Sequence, residues 1–396
     1  ANNITLAVNA VSTPDIITGD GMADELIITA TNANELNVAS AAVKTITASG
    51  SGTLDLDDGG TTLNAATTTV NAAEVVGAVV VAASATSTTI TTGIGGDTVT
   101  GGAAADVIVT NAGDDTINFS AGNDSIDGGT GTDTLVVTNA NNGGLIEDGD
   151  RTGNSINLET GVVSFTDTSA VVHTQSLTGI ENLTLDAQDD AAVDLTIVGS
   201  SVANDIVGGA GDDKITGGAG SDVFTLGGGI DIITDLEVGA SGDDIKLDLS
   251  DIKGAALTDL IKIDAAASVA DTETVIISTV TAAFDSANLT TNTTIVTLDG
   301  TIASTDALET ALESGGSFAL TLDGAVSDGD AFLVLYDNGV NSYLATVELN
   351  DASGGAHFVA NDLAATGDMT AINIVTFEGV SDATSITAAM FTDIIA

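Results

Sequence analysis

Short apolar runs follow one another along the first part of the chain. ELIITA, KTITASG, GTLDLDD, TTTVNA, VVVAAS and TTITTG succeed each other through residues 1–91 at roughly ten-residue intervals. Small and β-branched side chains at that spacing suit the inside of a tightly wound parallel coil, so the segment is read as degenerate rungs of a β-solenoid. From Thr92 to Val136 the pattern sharpens. Asp97, Asp106, Asp115, Asp124 and Asp133 recur every nine residues, each followed two places on by an apolar residue: Val99, Ile108, Ile117, Ile126 and Leu135. Glycine stands two places before four of them (Gly95, Gly113, Gly122, Gly131), and Ala104 before the fifth. The same phase returns between Gly208 and Ile233, where Asp213, Asp222 and Asp231 precede Ile215, Phe224 and Ile233, with Gly209, Gly211, Gly218 and Gly220 in the turns.

The spacing predicts a three-residue strand whose central side chain points inward, then a turn built on glycine because a Cβ resists the backbone angles it needs. Two nonapeptides complete one coil. Asp97, Asp115 and Asp133 therefore line one edge of a roll, and Asp106 and Asp124 the other. Coils stack about 4.8 Å apart, so carboxylates on one edge face each other closely and repel unless a cation lies between them. A hard divalent ion taking six to eight oxygens at about 2.3–2.6 Å fits such a gap. Ordinary Asp-Gly turns are the competing reading, but they keep no nine-residue phase. Asp15 and Asp24 also sit nine apart before Ile17 and Leu26, yet their glycines (Gly19, Gly21) are displaced, which leaves a capping turn open beside a metal site.

Residues 137–200 differ in texture. NANNGG and EDGDRTGN read as loops, and INLETGVVSF, AVVHTQSL and IENLTLDA as strands. His173 has Ser164, Asp167 and Ser169 nearby, but alternation puts Val172 and His173 on opposite faces, and a surface or cross-strand histidine is favoured over a nucleophilic triad. In the second roll, at 201–250, Asn204 and Ile206 hold the phase one repeat ahead of Asp213, while Asp235 and Asp244 are candidate ligands at its open end. Past Ile252 the phase is lost, and 251–396 reads as a separate β-rich domain. It holds one helix, Thr305 to Ser314, with a capping box of Asp306 and Glu309, one face of Leu308, Ala311 and Leu312, and a stop at Gly315 and Gly316. A hairpin turns at Asp337-Asn338-Gly339, flanked by Tyr336 and Tyr343 as a cross-strand pair or a sugar-stacking pair. SITAAMFTDIIA closes the chain as a small-residue turn or short helix with an apolar tail.

Charge changes the picture. Across 396 residues, 57 acidic side chains face five lysines and Arg151, giving a net charge of -51. Such a charge often means disorder, but a mean hydropathy of +0.35 leaves enough apolar surface to bury, so the class is a folded all-β protein. Eight Ca²⁺ ions would offset only roughly a third of the charge. Nucleic acid and anionic membranes are disfavoured as direct partners, and divalent cations are favoured. There is no cysteine, so burial and metal must hold the fold. ANNITLAVNA has neither a basic region nor a long apolar run, and VVGAVVVAA is too short to span a bilayer.

These residues resemble the RTX (repeats-in-toxin) family of calcium-binding secreted proteins, strongly over 92–136 and 201–250 and more loosely through INLETG…LTGIENLTL and the C-terminal DGDAFLVLYDNGVNSYLATV. The resemblance implies Ca²⁺ held by Asp97, Asp106, Asp115, Asp124, Asp133, Asp213, Asp222 and Asp231 with the carbonyls of their glycine loops. It also implies type I export directed by an uncleaved C-terminal signal. Thr110-Asn111, Phe119-Ser120 and Ala104 replace glycines, which weakens the sites that use those loops. His173 and His357 lack the H-E-x-x-H spacing of the family's zinc proteases, and neither G-x-S-x-G nor a P-loop is present. Thr/Ala/Val/Asn-rich solenoids with such blocks look most like RTX-type surface-layer proteins. The leading expectation is therefore a non-enzymatic, calcium-dependent subunit of an extracellular sheet or filament. Its partners are other copies of itself and cell-surface polysaccharide. An RTX adhesin fragment that binds a glycan or protein is the alternative, and a secreted enzyme a third.

Overall fold

The computed structural model describes residues 2–8, 11–16, 23–38, 43–57, 62–138, 154–166, 172–185, 194–239, 242–248, 259–262, 267–268, 275–286, 289, 294–313, 316–322, 326–327, 330–349, 357–358, 362–363 and 369–395. It is an all-β chain in two compact units, residues 1–200 and 201–396.

In the first unit the inward apolar residues form columns. Leu26 pairs in register with Ile46, Ile46 with Val70, Val70 with Ile90, Ile90 with Ile108 and Ile108 with Ile126, all in parallel strands of one sheet. The facing sheet carries Val81, Val99, Ile117 and Leu135 in the same way. Val99, Ile108, Ile117, Ile126 and Leu135 are no more than 2% exposed, while their strand neighbours stay half-buried or exposed. Burying each such side chain contributes about 1.5–3 kcal/mol, so the column is what makes three-residue strands stable at all. Coils upstream of Ile90 are longer and uneven, which is why the nine-residue phase fades there although the same stack continues. The change at residue 92 is thus one of sequence pattern within an unbroken stack of coils.

Beyond Val137 both sheets gain another rung. The strand Val172–Thr178 stacks on Ser125–Asp127, and Asn182–Leu185 on Thr134–Val137. Ser155–Asn157 and Val162–Thr166 add antiparallel strands beside it, with Phe165 edge-on to Phe119 at 5.2 Å between ring centres. His173 lies opposite Phe165 and is half-buried, whereas Val172 is 58% exposed, in line with alternation. Asp167, Ser169 and the loops proposed at NANNGG and at 147–153 fall outside the described residues, as do Ile17, Gly19 and Gly21.

The second unit repeats the coil, with Ile206, Phe224 and Ile245 stacked in one sheet and Ile215 and Ile233 in the other. Its C-terminal strands join those sheets. Met369–Phe377 pairs with Asp231–Ile233, and Phe391–Ile395 pairs with Asp244–Asp248. The closing segment, expected as a small-residue turn or short helix with an apolar tail, makes two short 3-10 turns and then a sheet-forming strand; Ile394 sits in register with Leu247. Asp330–Asp337 and Ser342–Leu349 form the expected hairpin. Tyr336 and Tyr343 stack on each other at 5.0 Å, and Tyr336 is buried with its hydroxyl bonded to Asn373, so the pair is part of the hairpin's packing. The helix spans Thr305–Leu312 and buries Leu308, Ala311 and Leu312 as anticipated. Its cap differs. The Ser304 hydroxyl accepts from the Ala307 amide, while Glu309 accepts from Ala371 of the sheet, so no capping box joins Asp306 to Glu309. Gly315 and the composition break near Ile252 lie outside the described residues.

Candidate metal centre

The eight aspartates of the nonapeptides are buried where the turns meet the strands, each no more than 2% exposed. Coiling places each on the rung above its predecessor. The consequence differs from simple face-to-face carboxylates. On the first edge the Val79 amide donates to Asp97 Oδ1 (2.7 Å), the Asp97 amide to Asp115 Oδ1 (2.7 Å) and the Asp115 amide to Asp133 Oδ1 (2.9 Å). On the second edge Thr88 donates to Asp106 (2.6 Å) and Asp106 to Asp124 (2.9 Å). One oxygen of each of these five carboxylates is thus taken by the preceding coil's backbone, which holds the acid in place and leaves the other oxygen to decide the chemistry.

That second oxygen separates the two edges. On the second edge it is satisfied: Asp106 Oδ2 accepts from the Gly102 amide, and Asp124 Oδ2 from the Ser120 hydroxyl and the Gln175 amide nitrogen. On the first edge Asp97 Oδ2 has a long bond from Gly93 (3.2 Å), and Asp115 Oδ2 and Asp133 Oδ2 are buried without a hydrogen bond. The Thr110 hydroxyl beside Asp115 gives its proton to the Gly128 carbonyl (2.7 Å) instead. A buried carboxylate oxygen with no donor costs on the order of 1–3 kcal/mol or more, and a cation removes that cost.

Burial is the main reason these acids are hard to ionise. It pushes Asp97, Asp124 and Asp133 up from 3.8 to about 6, with Asp115 adding to Asp97, Asp106 to Asp124, and Asp115, Glu181 and Asp114 to Asp133. Burial likewise raises Asp106, Asp115, Asp222 and Asp243, and raises Asp231 well above its ordinary value.

The turns bring carbonyls to the same place. Gly113 and Gly131 have φ of +135° and +144°, and a Cβ on Gly131 would run into the Gly113 carbonyl oxygen, one on Gly113 into that of Gly95. Gly95 itself is needed for close approach, since a Cβ there would lie 2.6 Å from the Gly77 carbonyl carbon. Gly122, Gly209, Gly211, Gly218 and Gly220 also have positive φ. Asn111, one of the glycine replacements, takes φ +66°, the sole non-glycine residue with positive φ among the described residues, so this departure preserves the turn. Among the described residues no three acidic or histidine side chains converge. A bound ion would therefore draw on one or two carboxylates and several turn carbonyls, a donor set of oxygens alone, which fits Ca²⁺.

In the second roll the Asn204 amide donates to Asp222 Oδ1 and the Asp213 amide to Asp231 Oδ1, as the phase requires. The next rung brings in an acid that the sequence reading did not name. Asp222 donates to Asp243 Oδ1 (2.9 Å), and Asp243 is 2% exposed with its other oxygen bonded to the Glu237 amide. Asp244, the ligand candidate of the sequence reading, is a half-buried strand residue whose amide donates to the Asp222 carbonyl. Asp243-x-Ile245 repeats the Asp-x-apolar signature, but it comes 21 residues after Asp222 in place of 18, and a search in fixed phase passes over it. Asp235 is not at the same level either: both its oxygens accept from the amides of Gly217 and Gly218, so it closes a turn.

The family model of the RTX calcium-binding nonapeptide repeat matches four stretches, residues 91–126, 100–135, 120–142 and 198–233. No curated protein matches the chain.

Proposed function

Because the chain carries RTX-type calcium-binding repeats in both of its compact units, we propose that it is a calcium-dependent structural protein of the cell surface. It is exported unfolded and assembles with copies of itself into a sheet or filament. One observation carries the reading: buried aspartates stacked rung upon rung, with the outer oxygens of Asp115 and Asp133 lacking a protein donor. Without metal these groups oppose folding, and the chain's charge of -51 opposes both compaction and contact between copies. Ca²⁺ supplies positive charge inside the turns. Binding to the folded coil alone stabilises it by about 2.7 kcal/mol per site when the ion is a hundredfold above its dissociation constant. Asp97, Asp115 and Asp133, with the carbonyls of the glycine turns beneath them, would hold ions on the first edge. Asp213, Asp222, Asp231 and Asp243 would do so in the second roll. On the second edge of the first roll, hydrogen bonds already take the place of metal at Asp124.

The chain's own residues need no catalytic set for this role, and the proposal is of a non-enzymatic protein. Extracellular calcium in the millimolar range suits turns of this kind, which supports secretion. Among the described residues no helix is long and apolar enough to cross a membrane. Light scattering after size exclusion, with negative-stain imaging across a calcium titration, tests the proposal. Ordered assemblies that form with calcium and disperse in EGTA are expected. A protein that stays monomeric at saturating calcium, or assemblies indifferent to chelation, would overturn it. Binding of that monomer on a glycan array would move the reading to an adhesin.

A further inference from the structure

The first roll does not stop at its last nonapeptide. Ile126 is in register with Leu177 and Leu135 with Leu183, so the segment 172–185 is a further coil laid on the roll. Two residues before each of those leucines, where the nonapeptide has aspartate, stand Gln175 and Glu181. Each meets the aspartate below it, and they do so with opposite chemistry.

Gln175 closes the second edge. Its side-chain nitrogen donates to Asp124 Oδ2 (2.9 Å) and to the Ser120 carbonyl (2.7 Å), and the residue is 3% exposed. A neutral donor has been placed where a cation would otherwise sit. Glu181 closes the first edge. Its Oε2 accepts the Asp133 amide at 2.9 Å, the same bond that Asp133 makes to Asp115 one coil below. Here no donor is supplied to the carboxylate beneath: Asp133 is 0% exposed and its Oδ2 has no hydrogen bond. The Glu181 and Asn182 amides are both turned to the Asp133 carbonyl and give it nothing. A Cβ on Gly128 would lie 2.7 Å from Asp133 Oδ2 and would run into the Gly179 carbonyl oxygen, so both oxygens crowd the same bare Cα. Asp114 adds a further negative charge near Asp133.

We propose that Glu181, which lies outside the nonapeptide pattern, completes a terminal divalent-cation site with Asp133 and the Gly179 carbonyl, while Gln175 ends the other edge without metal. The proposal rests on the calcium reading above and adds a ligand and an end-stop to it. The unbonded Asp133 oxygen, the half-buried Glu181 carboxylate and the Gly179 carbonyl form an all-oxygen set, the chemistry that selects Ca²⁺.

The test counts ions bound per full-length chain at saturating Ca²⁺, by equilibrium dialysis and elemental analysis, for the wild type, Glu181→Gln, Glu181→Asp and Gln175→Glu. Glutamine keeps an oxygen for the Asp133 amide, so Glu181→Gln removes charge and leaves that bond available. It should bind one ion fewer, Glu181→Asp should keep the wild-type count, and Gln175→Glu should bind one more. An unchanged count in Glu181→Gln overturns the proposal. If circular dichroism shows that variant unfolded, Gln175→Glu decides, and no gain there overturns it. A wild type that binds no calcium sinks the function proposed above as well. Equal counts in wild type and Glu181→Gln sink this site alone.

Discussion

Protons and calcium compete for the same oxygens in the first roll, and the competition can be sized. Asp97, Asp124 and Asp133 are raised to about 6, chiefly by burial. An ion needs the deprotonated acid. At pH 7 about a tenth of such a group carries a proton, and at pH 5 about nine-tenths does. Each site that depends on Asp97 or Asp133 should therefore lose roughly tenfold in apparent calcium affinity between those two values, and each ion bound near pH 6 should release a fraction of a proton. The sign for the calcium-free coil runs the other way. A folded pKa above the unfolded 3.8 means that these acids favour the fold when protonated, so their contribution is fully present below about pH 4 and is lost as the pH rises through about 6. Chelated protein should be more ordered at pH 5 than at pH 7.5, while calcium should rescue it more effectively at pH 7.5. Calcium titrations followed by far-UV circular dichroism at pH 5, 6, 7 and 7.5, with proton release measured by calorimetry, give both signs. With a sequence pI of 4.1, the chain stays net negative throughout that range. A calcium midpoint that does not move between pH 7 and pH 5 would refute the reasoning.

Further outcomes follow from the same coils. Ile117→Ala, in the middle of a fully buried column, should lower stability by about 2–5 kcal/mol and raise the calcium concentration needed for folding, read by urea titration in calcium. Gly131→Ala puts a Cβ at φ +144° against the Gly113 carbonyl; the positive-φ backbone alone costs about 1–3 kcal/mol and the clash adds to it, seen as a lower thermal midpoint. Asp243→Asn should weaken calcium binding by the second roll and Asp244→Asn should leave it within twofold, as measured by isothermal titration. Ser304→Ala should cost about 1 kcal/mol through the lost helix cap, without changing the ion count.

Much of this was legible in the chain. A residue that recurs every nine positions beside a buried apolar partner reports the coil directly, because each coil buries a single inward side chain per strand and the rest of the nonapeptide is turn. The hairpin and the buried face of the helix were legible for the same local reason. Glu181 and Gln175 were not, although both obey the Asp-x-apolar rule with Leu183 and Leu177. A long insertion after Val137 breaks the phase, and only stacking brings 172–185 back over 125–137. Asp243 escaped through a three-residue lengthening of one turn. What spacing does not carry is hydrogen-bond direction. Like charges at 4.8 Å suggest repulsion, and the amide that each aspartate receives from the coil before it emerges only in three dimensions.

That bond always points the same way along the stack: an N–H of one rung is given to the acid of the following rung, from Val79 through Asp97 and Asp115 to Asp133 and Glu181. The roll is consequently a vector with unlike tips. Severed between two of these rungs, the chain of bonds leaves an aspartate amide unanswered on one piece and a buried carboxylate oxygen unanswered on the other. For the amides of Asp97, Asp115 and Asp133, the acceptor is supplied by the rung on the C-terminal side.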